Sequence, residues 1–255
     1  YNNNKILKEA LREDALEPGR EGYPVGALFA LKTAGLDEEG YPMFEGKDGK
    51  AVSAMEFFKL QEWGFGATDL TARERRELYT YVGTADCPYT GGFNNTFTYK
   101  AFELGVNFSF DFGGKVRSQP TYSIVDFDKG RNTNRDILNR WTPENTETIF
   151  PVLLSQNERL DEYMWYSNQN EIYRNLDIWI RDLNYVRLQN IRLGYTLPTN
   201  FSRKLGMTSA TIAIEGRNLL VFGSSYKNYL DPETMSNAYA TPAPKSVTLS
   251  LNLNF

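Results

Sequence analysis

From Phe102 to Phe112 the chain alternates without a break. Phe102, Leu104, Val106, Phe108, Phe110 and Phe112 are apolar, and between them stand Glu103, Gly105, Asn107, Ser109 and Asp111. The stretch SVTLSLNLNF does the same. Val247, Leu249, Leu251, Leu253 and Phe255 alternate with Ser246, Thr248, Ser250, Asn252 and Asn254. A period of two is the period of a β-strand, whose successive side chains point to opposite faces. Such a strand needs an apolar medium on one side and a polar one on the other.

Three further stretches fit the same period: 93–100, 183–197 and 209–222. In the second, Ile191, Leu193, Tyr195 and Leu197 share a face. In the third, Ala210, Ile212 and Ile214 oppose Thr211, Ala213, Glu215 and Arg217. The connections between strands differ in length. Residues 99–101 and 198–208 are short links, while 114–181 and 223–244 are long and polar. Alternating short and long connections are the habit of transmembrane barrels, which have tight turns on one side and long loops on the other. A tilted strand of about 9–11 residues crosses a bilayer. A soluble β-sandwich also alternates, but its strands are nearer about 5–6 residues and it rarely needs connections this long.

The region before residue 91 reads differently. Residues 5–18 and 54–63 have helical spacing, and 71–79 opens with a capping box, Thr71 to Glu74. Residues 22–36 read as a strand, 41–50 as a short strand and turn, and 81–92 as turn-rich. The expected organisation is an upstream region, 1–90, of strands, loops and short helices, lying outside the cell or against the barrel. Residues 91–255 follow as barrel strands with two long loops.

Composition narrows the function. There is no histidine, which removes the commonest general base and metal ligand. No serine sits in an elbow-like glycine motif, so hydrolase chemistry is not expected and no cofactor is implied. The net charge of −4 disfavours a nucleic-acid partner, which wants clustered Lys and Arg. Cys87 is the single cysteine and says nothing about compartment. No run of about 18 apolar residues marks a membrane helix. The mean hydropathy of −0.50 does not argue against a barrel, because barrel strands hide their apolar residues by alternation. The beginning, YNNNKILKEALRED, lacks a leader and reads as the middle of something longer.

Two groups in the first long connection invite a ligand. Trp141, Tyr163, Trp165 and Tyr166, with Tyr173 and Trp179, offer aromatic faces for sugar rings or peptide side chains; for any one of them a place at the membrane interface or packing within a folded loop is the commoner use. Asp126, Asp128 and Asn132, with Asn134, alternate around Gly130 in a pattern that suits calcium. The terminal bidentate Glu is missing, and Asp, Asn and Gly also simply make turns.

The stretches GGFNNTFTYKAFELGVNFSFDFG (91–113), LNYVRLQNIRLGYTLP (183–198), IEGRNLLVFGSSYKNYLDPE (214–233) and PAPKSVTLSLNLNF (242–255) resemble, in order and spacing, the C-terminal segments of SusC-like (SusC/RagA family) TonB-dependent transporters of the Bacteroidetes outer membrane. Residues 21–44 are compatible with the segment just upstream. The resemblance implies the all-β C-terminal part of a large antiparallel transmembrane barrel of about 22 strands, with long extracellular loops. It implies import of oligosaccharides or oligopeptides across the outer membrane. A SusD-like lipoprotein caps such a transporter, meeting loops 114–181 and 223–244. TonB–ExbB–ExbD drives it through an N-terminal part and plug absent from this sequence. Glu103, Asp111, Glu215 and Arg217 then face the lumen, holding the plug or meeting water. Phe255 is similar to the aromatic ending that barrel assembly machinery reads during insertion into lipid. A passive porin or an adhesin barrel is the alternative.

Overall fold

A computed structural model of the chain describes residues 1, 3–7, 19–54, 76–122, 134–153, 172–223, 231–234 and 240–255. Among them ten strands follow in order: β1 (Ala27–Leu31), β2 (Thr33–Leu36), β3 (Pro42–Glu45), β4 (Ala51–Ser53), β5 (Tyr79–Thr84), β6 (Tyr89–Tyr99), β7 (Phe102–Arg117), β8 (Ile180–Thr196), β9 (Ser209–Phe222) and β10 (Ser246–Asn254). They form three sheets: β1-β5, β2-β3-β4, and a five-stranded sheet ordered β10-β9-β8-β7-β6. The chain divides into two compact units. One contains Tyr1–Asn3, Cys87–Gly114 and Asp182–Phe255; the other contains Asn4–Asp86 and Lys115–Arg181.

The first unit holds the long strands. Consecutive strands are neighbours, as the alternation and the short links require. β6 and β7 form a hairpin closing on the pair Tyr99↔Phe102, with Lys100 in the left-handed region at φ 54°. A short helix, Thr199–Lys204, joins β8 to β9. The registers sort side chains into rows. Phe97 pairs with Leu104, and Phe93 with Phe108. Leu249 pairs with Ile214, which pairs with Leu193; Leu251 pairs with Ile212, which pairs with Tyr195. Phe102, Leu104, Val106, Phe108 and Phe110 are none of them buried. Leu249 is 76% exposed and Ile214 48%. No protein layer covers this apolar face among the described residues. A soluble sandwich would have buried it.

The strands run past the limits the sequence suggested. β6 begins at Tyr89 within the turn-rich stretch, β7 continues through Gly113 and Gly114 to Arg117, and β8 starts at Ile180. Gly113 takes φ 81°, a conformation glycine adopts freely, so the glycine pair does not end the strand. The expected strand at 22–36 is two strands, β1 and β2. The stretch 41–50 contributes β3, and β4 follows it. The helix-like stretches 5–18, 54–63 and 71–79 fall wholly or largely outside the described residues.

The second unit has a core of its own. Residues from before β6 and from the long connection after β7 fold together. Phe29, Leu31, Phe44, Tyr173, Leu176 and Trp179 are buried in one cluster. Burying a side chain of this size stabilises by about 1.5–3 kcal/mol, enough to explain why a polar stretch condenses. Polar links reinforce the core: the Thr33 N–H donates to Asp177 Oδ1 at 3.0 Å, and Ser118 Oγ donates to the Trp179 carbonyl at 3.0 Å. The Arg20 guanidinium lies 3.7 Å from the centre of the Phe29 ring, where a cation meets the ring's negative face.

Two phenols in this unit give it a pH limit. Tyr122 donates to the Pro151 carbonyl at 2.8 Å, and Tyr173 to that of Ile149 at 3.4 Å. Burial pushes both hydroxyls well above the ordinary phenol value; at Tyr122 the nearby Arg140 charge opposes the rise and Asp136 adds to it. A folded-state value above the unfolded one stabilises the protein at all pH below the unfolded phenol's value of about 10 and less with each step above it. The unit is expected to hold its structure through neutral pH and to loosen above about pH 10. Proteolysis of 115–181 against pH, with tyrosinate absorbance followed in parallel, checks this; ionisation of both phenols at the ordinary value without loosening would contradict it.

Candidate functional site: the polar face of the five-stranded sheet

Strict alternation in β7 puts Glu103, Gly105, Asn107, Ser109 and Asp111 on the face opposite the phenylalanines. Side chains from β8 meet them there. Arg192 Nη1 donates to Glu103 Oε1 at 2.8 Å, Gln189 Nε2 to Ser109 Oγ at 2.7 Å, and the Tyr185 hydroxyl to Asp111 Oδ2 at 2.5 Å. From β9, Glu215 Oε1 accepts from Asn190 Nδ2 and from Arg217 Nε, each at 2.5 Å. The face therefore gathers all four residues the sequence assigned to it: Glu103, Asp111, Glu215 and Arg217. Their neighbours on the sheet already occupy them.

The numbering of these partners reveals a shift. Tyr185 and Gln189 are odd, whereas Asn190 and Arg192 are even, yet all reach the same face. The β8–β9 register is also irregular here: two steps in β8, Leu188 to Asn190, face three in β9, Leu220 to Arg217, and within those three Asn218 sits in the left-handed region at φ 53°. A bulge of this kind puts one extra residue into one strand of a pair, and asparagine tolerates that backbone conformation.

Above the shift lies a cluster that the sequence reading did not single out. Arg187 is fully buried, with its side chain 2% exposed. Its Nη2 pairs with Asp231 Oδ1, and its Nε with Glu233 Oε1 at 2.9 Å. The Tyr185 hydroxyl also lies 3.3 Å from Glu233 Oε1. Asp231 in turn accepts from the backbone N–H groups of Glu233 and Ala243, at 3.1 and 3.2 Å. A guanidinium can be buried at such a position only if its charge and donors are matched. The available signal was Arg187 itself, a cation inside the strand stretch YVRL, with the acidic pair of the D-P-E motif downstream.

The remaining expected residues fall elsewhere. Trp141 belongs to the second unit, half-buried, with its ring packed over Gly40. A Cβ at Gly40 would stand 2.6 Å from the ring, and Gly40 takes φ 86°. Tyr173 and Trp179 are core residues. Tyr163, Trp165 and Tyr166, and the calcium candidates Asp126, Asp128 and Asn132, lie outside the described residues. Asn134 caps a short 3-10 turn by accepting from the Asp136 N–H. Phe255 follows β10 and is 85% exposed. Among the described residues no group of three or more His, Cys, Asp or Glu is placed to hold a metal ion.

No family model matches the chain. Curated relatives do. TonB-dependent receptor P3 of Formosa agariphila is 26% identical over 253 residues, covering 92% of this chain, and TonB-dependent receptor P26 of the same organism is 28% identical over 182 residues, covering 64%. The chain spans 23% of the first relative's length and 16% of the second's. Among solved structures, the RagAB peptide transporter aligns over 92% of this chain and 23% of its own at a TM-score of 0.63 and 21% identity; the RagAB peptide importer in its open-open state aligns at 0.60. The fold is thus part of a large antiparallel β-barrel of the TonB-dependent transporter type. More particularly, the chain is similar over most of its length to TonB-dependent receptors and shares its fold with a stretch of RagAB, so the resemblance drawn from the sequence stands.

The pair between Glu103 and Arg192 is half-open to solvent, with side chains 51% and 36% exposed. Exposed pairs contribute about 0–1 kcal/mol. Glu103→Gln is therefore expected to leave the folded yield and thermal midpoint of the assembled barrel nearly unchanged, as heat-modifiability on gels would record. A large loss would show that Glu103 has a further partner.

Proposed function

We propose that this chain forms wall and outer parts of a TonB-dependent outer-membrane transporter that imports oligomeric nutrients, oligosaccharides or oligopeptides, too large for passive pores. A SusD-like lipoprotein closes it from outside, meeting loops 114–181 and 223–244. TonB–ExbB–ExbD supplies the energy through a part of the protein beyond this chain. Glu103, Asp111, Glu215 and Arg217 line the lumen, where their exposed atoms meet water or a plug.

The observation that carries the membrane placement is a pair of aromatic rows. Tyr89 pairs with Phe112 at one end of the hairpin and Tyr99 with Phe102 at the other. Phe102 is joined at its end by Tyr195, ring centres 4.7 Å apart. The rows are ten residues apart along β7, from Phe102 to Phe112. At about 3.4 Å per residue this is about 34 Å of strand, and a tilt near 40° reduces it to roughly 25 Å, the height of an apolar band between two aromatic girdles. Between the rows the outward residues are Leu104, Val106, Phe108 and Phe110. Lys100, at the hairpin tip beyond the lower row, suits a membrane surface.

The curated relatives are TonB-dependent receptors and the aligned structures are of a peptide importer, which supports active uptake over a passive porin or an adhesin. Of the loop aromatics on which a sugar ring could stack, Trp141, Tyr173 and Trp179 are used by the second unit in packing. Oligosaccharide and oligopeptide panels therefore belong in one experiment. The full-length protein, expressed in its host, is expected in the outer-membrane fraction, to copurify with a SusD-like lipoprotein in mild detergent, and to take up members of one panel only while TonB is present. Uptake that survives loss of TonB would favour the porin; no uptake from either panel, with the barrel assembled, would favour the adhesin.

A further inference from the structure

We propose that Arg187 is a positioning residue that clamps the β9–β10 connection onto the polar face of the wall, making residues 231–234 and 240–244 a stationary shelf inside the cargo chamber. The idea of a chamber rests on the transporter reading above; the clamp does not. Long connections between barrel strands are ordinarily free to move outside the membrane. This one is held at three points. Arg187 grips Asp231 and Glu233 from β8 with two different nitrogens. Asp231 passes the grip onward, its second oxygen accepting from the Ala243 N–H at 3.2 Å, so the outgoing and returning ends of the connection are joined through one carboxylate. Asn218, at the bulge in β9, donates from Nδ2 to the Pro244 carbonyl at 3.3 Å.

The clamp lies on the polar face, because the Tyr185 hydroxyl beside it reaches Asp111 of β7. It is also dry at its centre: the Arg187 and Asp231 side chains are 2% and 6% exposed. Two buried opposite charges with their donors matched hold firmly, since separating them leaves each uncompensated. The forked geometry needs arginine, because a lysine ammonium can meet one carboxylate squarely but does not present the same rigid fork. What the shelf offers to cargo is then the outer part of Glu233, 43% exposed, and not the guanidinium.

Hydrogen–deuterium exchange on the purified full-length transporter in detergent tests this. In the wild type the Glu233 and Ala243 amides should exchange slowly. Arg187→Met should speed exchange in 231–234 and 240–244 by about ten-fold or more, with β8, β9 and the folded yield unaffected, and Arg187→Lys should lie between. Asp231→Asn, which removes the charge from the connection and leaves the wall strand intact, should act like Arg187→Met even if the latter fails to assemble. Fast exchange of both amides in the wild type would overturn the proposal. So would unchanged exchange in Asp231→Asn, or equal acceleration throughout β8 and β9, which would make Arg187 a support of the sheet alone. None of these readouts depends on transport, so the clamp and the transporter reading can fail separately.

Discussion

Leu249 lies beside Ile214 and Ile214 beside Leu193; one residue along, Thr248 lies beside Glu215 and Glu215 beside Arg192. This juxtaposition of an apolar row with a polar one sets everything else in the sheet. A slip of one residue between any two strands would turn leucines toward the carboxylates and carboxylates toward the outside. In lipid that error is costly, because nothing there solvates a charge or an unpaired backbone group. The register is therefore specified along each strand by its own side chains. The strands stay in chain order because the links 99–101 and 198–208 leave little room for another arrangement.

The irregularity between β8 and β9, at Leu188 to Asn190, has a local use. On β9 it places Asn218, whose Nδ2 donates to the Pro244 carbonyl at 3.3 Å. On β8, Tyr185 and Gln189 on one side of it, and Asn190 and Arg192 on the other, reach the same polar face. Arg187 is part of the upper set, and its burial follows from what covers it: Asp231 and Glu233 supply the charges that make a dry guanidinium tolerable. Strand irregularity, buried cation and anchored connection are thus parts of one arrangement.

Much of the long-strand unit was legible because its physics is local. Alternation in 102–113 and 246–255 fixes faces, and Glu103, Asp111, Glu215 and Arg217 follow by counting in twos. Counting fails at 185–192, where Tyr185 and Gln189 share a face with Asn190 and Arg192, and in β9 at Asn218, because such irregularities depend on the partner strand. It falls short after Gly113 too, where the alternation ends and β7 nevertheless continues to Arg117. The second unit was less legible. Its core joins Phe29 and Phe44 to Tyr173 and Trp179 across more than a hundred residues of sequence, and no periodicity announces such contacts. For Trp141, residue type alone left ligand contact and packing both open; its ring covers Gly40, whose lack of a side chain makes the contact possible.

The central claim is that one face of the sheet meets lipid and the other a polar lumen, and β10 is the place to measure it, since all its residues are exposed. Single cysteines at 247–253, in a full-length background with Cys87→Ser, can carry spin labels in reconstituted bilayers. Collision with oxygen, which concentrates in lipid, should peak at Leu249 and Leu251. Collision with a water-soluble nickel chelate should peak at Thr248 and Ser250, so that the two profiles oscillate with period two and opposite phase. Profiles without that oscillation, or oxygen maxima at the serine and threonine, would contradict the placement of this sheet in a membrane.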